Sequence, residues 1–227
     1  KAGELGLPTP GMECKLVPID GKTELRYRGP NITPGYWRAP EATAEAFDEE
    51  GFFCTGDAVL WVDVADKHKG LRFDGRIAED FKLATGTFVS VGPLRGRVIA
   101  GGAPYIQDVV VTGLNRHEVG ALVFPTQAVR SLVDLPPDAP FETVLKQHAV
   151  LQKFQSLVTD LSLTATGSAN RVTRLMLMAE PPSIDLGEVT DKGSINQRAV
   201  LKHRDDLVQA LYDEPPGHIV IKPGVNL

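Results

Sequence analysis

Apolar and polar residues alternate along the first third of the chain, which is typical of short strands buried on one face. Residues 14–19 end at Asp20-Gly21, a dipeptide that favours a tight hairpin turn, and residues 23–28 alternate after it. Two further segments, 51–62 and 69–73, flank the polar stretch 63–68 and read as another strand pair. A short helix is predicted over 40–47 because proline favours the first helical turn. The pattern predicts a small antiparallel β region.

From residue 76 onward, strand-like and helix-like segments alternate. Strands are predicted at 88–91, 107–112, 120–124 and 171–178, with a short helix near 95–100. Apolar residues at helical spacing predict amphipathic helices over 141–163 and 197–212, and residues 219–221 read as an edge strand between prolines. This alternation predicts an α+β or α/β module. We place the domain boundary between residues 75 and 76, which gives domains at 1–75 and 76–227.

Composition and charge narrow the class of protein. With 42% hydrophobic and 23% charged residues in 227, the chain has the composition of a globular protein. A net charge of -5 argues against a nucleic-acid or anionic-membrane binder, and no apolar run reaches the roughly 20 residues of a membrane span. Cys14 and Cys54 lack CxxC spacing, so we expect a reducing compartment, the cytoplasm. Because the chain opens with Lys1 rather than Met, we expect a piece of a longer protein.

Four short segments carry the candidate chemistry, and each alone also has a simple structural explanation. Gly-Tyr-Trp at 35–37 and Pro-Glu-Ala-Thr at 40–43 read as a turn and a helix start. The carboxylate of Asp57, in Thr-Gly-Asp, can accept two vicinal hydroxyls or simply cap a turn. Arg76 can hold sugar or phosphate oxygens or form a salt bridge. Lys192, on a glycine-containing loop, can reach an anionic ligand or lie in solvent.

In this order, the four segments resemble the C-terminal part of the adenylate-forming superfamily, the acyl-CoA synthetases and their relatives. The longer segments 80–93 and 184–201 look more specifically like the feruloyl-CoA synthase branch. The resemblance implies an α+β fold in two parts. A small antiparallel β-barrel remnant, residues 1–75, would end the large AMP-binding domain. An α/β C-terminal lid domain, residues 76–227, would follow it.

The resemblance also implies a reaction and a set of ligands. Members of the superfamily activate a carboxylate with Mg-ATP to an acyl-adenylate and then transfer the acyl group to coenzyme A, leaving AMP. Asp57 would bind the ribose hydroxyls, Arg76 would bind ribose or phosphate, and Lys192 would be the catalytic lysine. The Mg²⁺ ligands and the pocket for the acid, here a small aryl acid, are expected in the N-terminal AMP-binding domain outside this chain. No metal site is expected within this chain itself.

Three positions depart from the superfamily pattern. The usual Gly-Lys-Ile reads Gly-Ser-Ile here, so the candidate lysine comes one residue before the glycine, at Lys192. The hinge position, often Asp or Lys in relatives, is Ala78, and Glu79 is expected to share its role. The predicted coenzyme A contact region, residues Thr85, Gly86 and Thr87, is displaced by one residue from the usual glycine.

The chain contains no Ser/Thr/Gly-rich phosphate loop followed by Pro-Lys and no aromatic-Gly-x-Thr-Glu segment. We therefore expect these 227 residues to be inactive on their own. Two alternatives stay open. One is a non-catalytic module that binds nucleotide or mediates an interaction, and the other is a ligase that acts on a fatty or other acid.

Overall fold

A computed structural model describes residues 4–214 and 217–224. Its contacts group the chain into two compact units, Lys1–Asp80 and Phe81–Leu227. The sequence places the boundary slightly earlier, after Gly75, and that domain division stays a prediction. The start of the chain at Lys1 and part of the predicted segment 215–227 lie outside the described residues.

The first unit is built on an antiparallel sheet of five strands in the order β1-β5-β4-β3-β2. The predicted hairpin between β2 and β3 is confirmed. Asp20 and Gly21 both have positive φ, at 48° and 83°, as a two-residue turn between twisted strands requires. One short helix, α1, lies between β3 and β4. The bounds are β1 Glu4–Gly6, β2 Glu13–Ile19, β3 Lys22–Arg28, α1 Pro40–Ala46, β4 Phe53–Trp61 and β5 Leu71–Arg76.

The barrel expected from the resemblance is not confirmed, because the sheet is open. Among the described residues, β1 and β2 form its two edges and do not pair with each other. A barrel removes both edges by closing the sheet on itself, which this strand order does not do. Leu25, Val59 and Leu71 form the buried core of this sheet.

The second unit contains a two-stranded and a three-stranded sheet. In the larger sheet, of order β10-β9-β8, β8 and β9 are antiparallel and β9 and β10 are parallel. The parallel pair follows from the helical crossover between β9 and β10. The bounds are β6 Phe81–Lys82, β7 Phe88–Val89, α2 Val91–Gly102, β8 Ile106–Thr112, β9 Val119–Pro125, α3 Phe141–Leu145, α4 His148–Leu163, β10 Val172–Leu177, α5 Gln197–His203 and α6 Asp205–Ala210.

Helices cover both faces of the larger sheet. Val109 and Val111 of β8 belong to one buried cluster, together with residues of α2 and α4. Val110, which points to the opposite face, packs in a second cluster with Val200 and Leu211. All seven residues of β9 are buried between the two layers. In the part of the chain that the structure describes, no helix is long and apolar enough to cross a membrane.

Both long helices predicted from the sequence are interrupted. The helix predicted over 141–163 breaks after Leu145, which ends α3, because Gln147 has an extended ψ of 139°. The helix predicted over 197–212 breaks at Arg204, with φ -112° and ψ 32°. Both breaks leave the apolar residues on the core side, so apolar spacing alone does not reveal them.

Three predicted boundaries also move. The strand predicted over 88–91 ends at Val89, because Val91 begins α2. That helix is longer than the 95–100 predicted from the sequence and runs to Gly102. The predicted edge strand at 219–221 is reduced to one antiparallel bridge, between Ile221 and Leu175 of β10.

Candidate nucleotide site

Asp57 and Arg76 face each other across the adjacent strands β4 and β5. The Arg76 Nε lies 3.0 Å from Asp57 Oδ1. The Asp57 side chain is 33% exposed and the Arg76 side chain is 57% exposed, so both are partly accessible to solvent, although Asp57 Oδ1 itself is buried. The sequence singled out these residues separately, and the structure brings them together. Such a pair offers acceptors for hydroxyl groups and donors for anionic oxygens.

Asp57 lies inside β4, where the pairing with β3 is irregular, and hydrogen bonds to β3 hold residues 55–57 in place. Gly56 has a φ of 68°, which favours glycine, and its N–H donates to Glu24 Oε1 at 2.9 Å. The Thr55 hydroxyl donates to the Leu25 carbonyl at 2.5 Å and accepts the Asp57 N–H at 3.0 Å. Thr-Gly-Asp is therefore a fixed, irregular part of strand β4 that orients Asp57, and not a turn.

The predicted hinge residues come directly after Arg76, in a single 3₁₀ turn, Ile77–Glu79. Ala78 is exposed and Glu79 is half-buried. The turn ends with the Asp80 N–H donating to the Ile77 carbonyl at 3.3 Å. The hinge role of Ala78 and Glu79 stays a prediction.

Lys192 lies exposed in a tight hairpin loop of the second unit. Val189 and Ile195 form the antiparallel bridge that closes the loop. Inside it, the Thr190 N–H donates to the Ser194 carbonyl and the Gly193 N–H donates to the Thr190 carbonyl, both at 2.8 Å. The loop thus carries Lys192 on an ordered backbone.

A buried ion pair anchors the base of this lysine loop. Glu188, 1% exposed, accepts Arg204 Nε at 3.0 Å, Arg204 Nη2 at 2.8 Å and the Ser183 N–H at 2.7 Å. The Glu188 carbonyl accepts the Asn196 N–H at 2.8 Å, across the loop. The Arg204 hydrogen bond lowers the pKa of Glu188 despite its burial, and the Ser183 N–H acts in the same direction. No local sequence signal indicates this pair, because its partners lie 16 residues apart along the chain.

The predicted coenzyme A contact residues form the connection between β6 and β7. Thr85 and Gly86 are exposed and Thr87 is half-buried. The Leu83 N–H donates to the Thr87 carbonyl, and the Gly86 N–H donates back to the Leu83 carbonyl, both at 2.9 Å. Lys192 and these three residues belong to the second unit, whereas Asp57 and Arg76 belong to the first.

Other candidate chemistry is limited in the described residues. Over 4–214 and 217–224, no group of three or more His, Cys, Asp or Glu side chains could hold a metal ion. Burial raises the pKa of the Cys14 and Cys54 thiols, so neither is a ready nucleophile.

The second unit, a sheet covered by helices on both faces and followed by a lysine-bearing hairpin, has the architecture of the C-terminal region of adenylate-forming enzymes. Residues 80–215 match the family described as the AMP-binding enzyme C-terminal domain. This match covers more than half of the chain, and the chain belongs to that family.

Three relatives illustrate the similarity. The chloroplastic long-chain-fatty-acid–[acyl-carrier-protein] ligase AEE15 of Arabidopsis thaliana is 28% identical, over 93% of this chain and 28% of that protein. The probable CoA ligase CCL8 of Humulus lupulus is 45% identical over 54% of this chain and 20% of that protein. The A domain of carboxylic acid reductase from Segniliparus rugosus, solved with AMP and a co-purified carboxylic acid, aligns with a TM-score of 0.69 and 25% identity. The alignment covers 93% of this chain and 33% of that chain. The chain therefore spans about a third or less of the length of these relatives.

Proposed function

We propose that this chain is the C-terminal part of an AMP-forming acid–CoA ligase, with Asp57 and Arg76 contacting the nucleotide. The observation that carries the proposal is their cross-strand pairing at 3.0 Å, with both side chains partly exposed. The Asp57 carboxylate would accept the ribose hydroxyls, and Arg76 would donate to the ribose or to phosphate oxygens. Both groups fit a nucleotide, which offers hydroxyl donors beside anionic acceptors.

In this proposal, Lys192 is the catalytic lysine of the first half-reaction. ATP supplies the α-phosphate that the substrate carboxylate attacks, and negative charge builds there during the attack. An ammonium held close to that charge stabilises the transition state. The exposed position of Lys192 on an ordered hairpin supports this role. Thr85, Gly86 and Thr87 would contact coenzyme A. A conformational change at the hinge residues Ala78 and Glu79 would take the enzyme from the first half-reaction to the second.

For the acid substrate, we propose an aryl acid of the feruloyl type. The proposal is supported by the resemblance of segments 80–93 and 184–201 to the feruloyl-CoA synthase branch. The second candidate, a fatty acid, is favoured by the name of the Arabidopsis relative. A coupled assay on the full-length protein, the complete polypeptide that contains this chain, compares ferulate, coumarate and a medium-chain fatty acid. Preference for the fatty acid would refute the aryl-acid proposal.

The catalytic proposal is tested with Lys192→Ala in the full-length protein. We expect loss of acyl-adenylate formation and retained thioester formation from supplied acyl-adenylate. Lys146→Ala, which removes an exposed lysine of the same unit, is the control and should leave both half-reactions unchanged. Unchanged adenylation in Lys192→Ala would assign the role to another lysine, with Lys82 and Lys202 next to be tested. Pyrophosphate release by the 227-residue chain alone would contradict the proposal that adenylation also needs the N-terminal AMP-binding domain.

A further inference from the structure

We propose that Lys22 and Glu24 of β3 are positioning residues for the Asp57–Arg76 pair, an inference that rests on the proposed nucleotide site. Lys22 is 8% exposed and Glu24 is 4% exposed. Charged side chains are rarely buried this far unless they are paired, because desolvation disfavours an ion. The partners of these two residues show what they hold in place.

The Lys22 ammonium contacts residues on both sides of Arg76 in the sequence. Its Nζ donates to the Asp74 carbonyl at 2.5 Å and lies 3.3 Å from the Asp74 carboxylate and 2.7 Å from the Asp80 carboxylate. The ammonium thus makes one hydrogen bond, to the Asp74 carbonyl, and two ion pairs, with the carboxylates of Asp74 and Asp80. The Asp80 side chain is fully buried and that of Asp74 is 18% exposed. A single cation therefore fixes segment 74–80, which contains Arg76.

Glu24 contacts β4, the strand that carries Asp57. Its Oε1 accepts the Gly56 N–H at 2.9 Å, one residue before Asp57, and its Oε2 accepts Arg26 Nε at 2.7 Å. Lys22 and Glu24 are two residues apart on β3, so both side chains project from the same face of the strand. One strand thus sets the positions of both members of the candidate site.

This arrangement predicts a specific kinetic effect. Without Lys22, segment 74–80 loses the cation that joins its two ends, and Arg76 is no longer held opposite Asp57. A displacement of about 1 Å in a substrate-positioning group costs up to roughly a hundredfold in rate. The effect should appear in the binding of ATP, and above all in the recognition of its ribose hydroxyls, rather than as a general loss of activity.

The experiment compares Lys22→Met with wild type in the full-length protein, measuring ATP-dependent pyrophosphate release. We expect the KM for ATP to rise about tenfold to a hundredfold. We also expect the variant to lose most of the wild-type preference for ATP over 2′,3′-dideoxy-ATP. Lys15→Met is the matched control, because Lys15 in the neighbouring strand also joins two carboxylates, those of Asp48 and Glu50. Its KM for ATP and its preference should match wild type.

Conservative variants separate positioning from general packing. Lys22→Arg keeps the charge and should restore part of the ATP preference. Glu24→Gln keeps an oxygen acceptor for the Gly56 N–H, whereas Glu24→Leu does not, so only Glu24→Leu should lower the preference strongly. If Lys22→Met does not fold, Asp74→Asn keeps the Lys22–Asp80 pair and should raise the KM for ATP about fivefold, the equivalent of ~1 kcal/mol.

Two results would overturn the positioning role. One is a folded Lys22→Met with wild-type KM and ATP preference, and the other is an equal change in Lys15→Met. Failure of the underlying site is recognised separately. If Asp57→Ala leaves the KM for ATP and the preference unchanged, Asp57 does not bind the nucleotide, and the positioning role fails with it. If Asp57→Ala alters both while Lys22→Met alters neither, only the positioning role fails.

Discussion

Replacing Arg204 with Met tests whether the buried Glu188–Arg204 pair holds the lysine loop. The replacement leaves Glu188, 1% exposed, with the Ser183 N–H but without its two guanidinium hydrogen bonds. It also removes the Arg204 donors to the Glu180 and Pro181 carbonyls, at 3.0 and 2.8 Å. The methionine keeps most of the apolar length of the side chain, so the change removes mainly charge and hydrogen bonds.

The expected magnitude follows from the burial of the pair. Removing one partner of a buried ion pair costs about 3–5 kcal/mol, because the other charge is left uncompensated. The Arg204 side chain is 12% exposed and Glu188 retains a backbone donor, so we expect the lower end, ~3 kcal/mol. A loss of that size in the free energy of local opening accelerates exchange about a hundredfold.

Hydrogen exchange of the full-length protein, read by mass spectrometry on peptides from 183–197, measures this effect. The Asn196 amide, which donates to the Glu188 carbonyl, should be among the most affected. Lys146→Met is the control, because its pair with Glu142 is exposed at both ends and such pairs contribute about 0.5 kcal/mol or less. Exchange in 183–197 that stays within about threefold of wild type would refute the anchoring role.

Three further predictions concern the second unit. The pKa of Glu188 is lowered in the folded state, so its pair stabilises the fold above the ordinary glutamate pKa. That contribution should be lost as pH falls through the lowered value, so protection from exchange in 183–197, corrected for the intrinsic exchange rate at each pH, should drop below about pH 4. A Cβ at Gly120 would lie 2.7 Å from the Leu211 side chain, so Gly120→Ala should destabilise by about 1–3 kcal/mol in thermal denaturation. Gly96→Ala, with open space in the middle of α2, should instead stabilise by up to ~1 kcal/mol, and the opposite order would contradict the packing described. Phe154→Ala should lower the free energy of unfolding by about 3–5 kcal/mol, because Phe154 is 1% exposed in the main core.

Local signals in the sequence were sufficient for the hairpin at Asp20-Gly21 and for most strands of both units. They also indicated Asp57 and Arg76 individually, because each follows a glycine at the end of a strand-like segment. Their pairing depends on the register of β4 against β5, which a bulge near Asp57 alters, and apolar spacing carries no information on that register.

The buried charges were beyond sequence reasoning for a related reason. Residues 22–28 carry a charge at every second position, which reads as the solvent face of a strand. Lys22 and Glu24 are buried because their partners Asp74, Asp80 and Gly56 come from distant segments. The break at Arg204 has the same origin, since its side chain bonds to residues 180, 181 and 188 rather than to its own helix.

The enclosure of the Lys22 amine has a chemical consequence. Amine-acylating reagents need an accessible nitrogen, whereas the Lys22 side chain is 5% exposed and makes one hydrogen bond and two ion pairs. The exposed Lys192 should be acylated quickly and Lys22 only in molecules in which segment 74–80 has come away from β3. The time course of acylation at these two lysines, measured on one sample, therefore reports how often this part of the first unit opens.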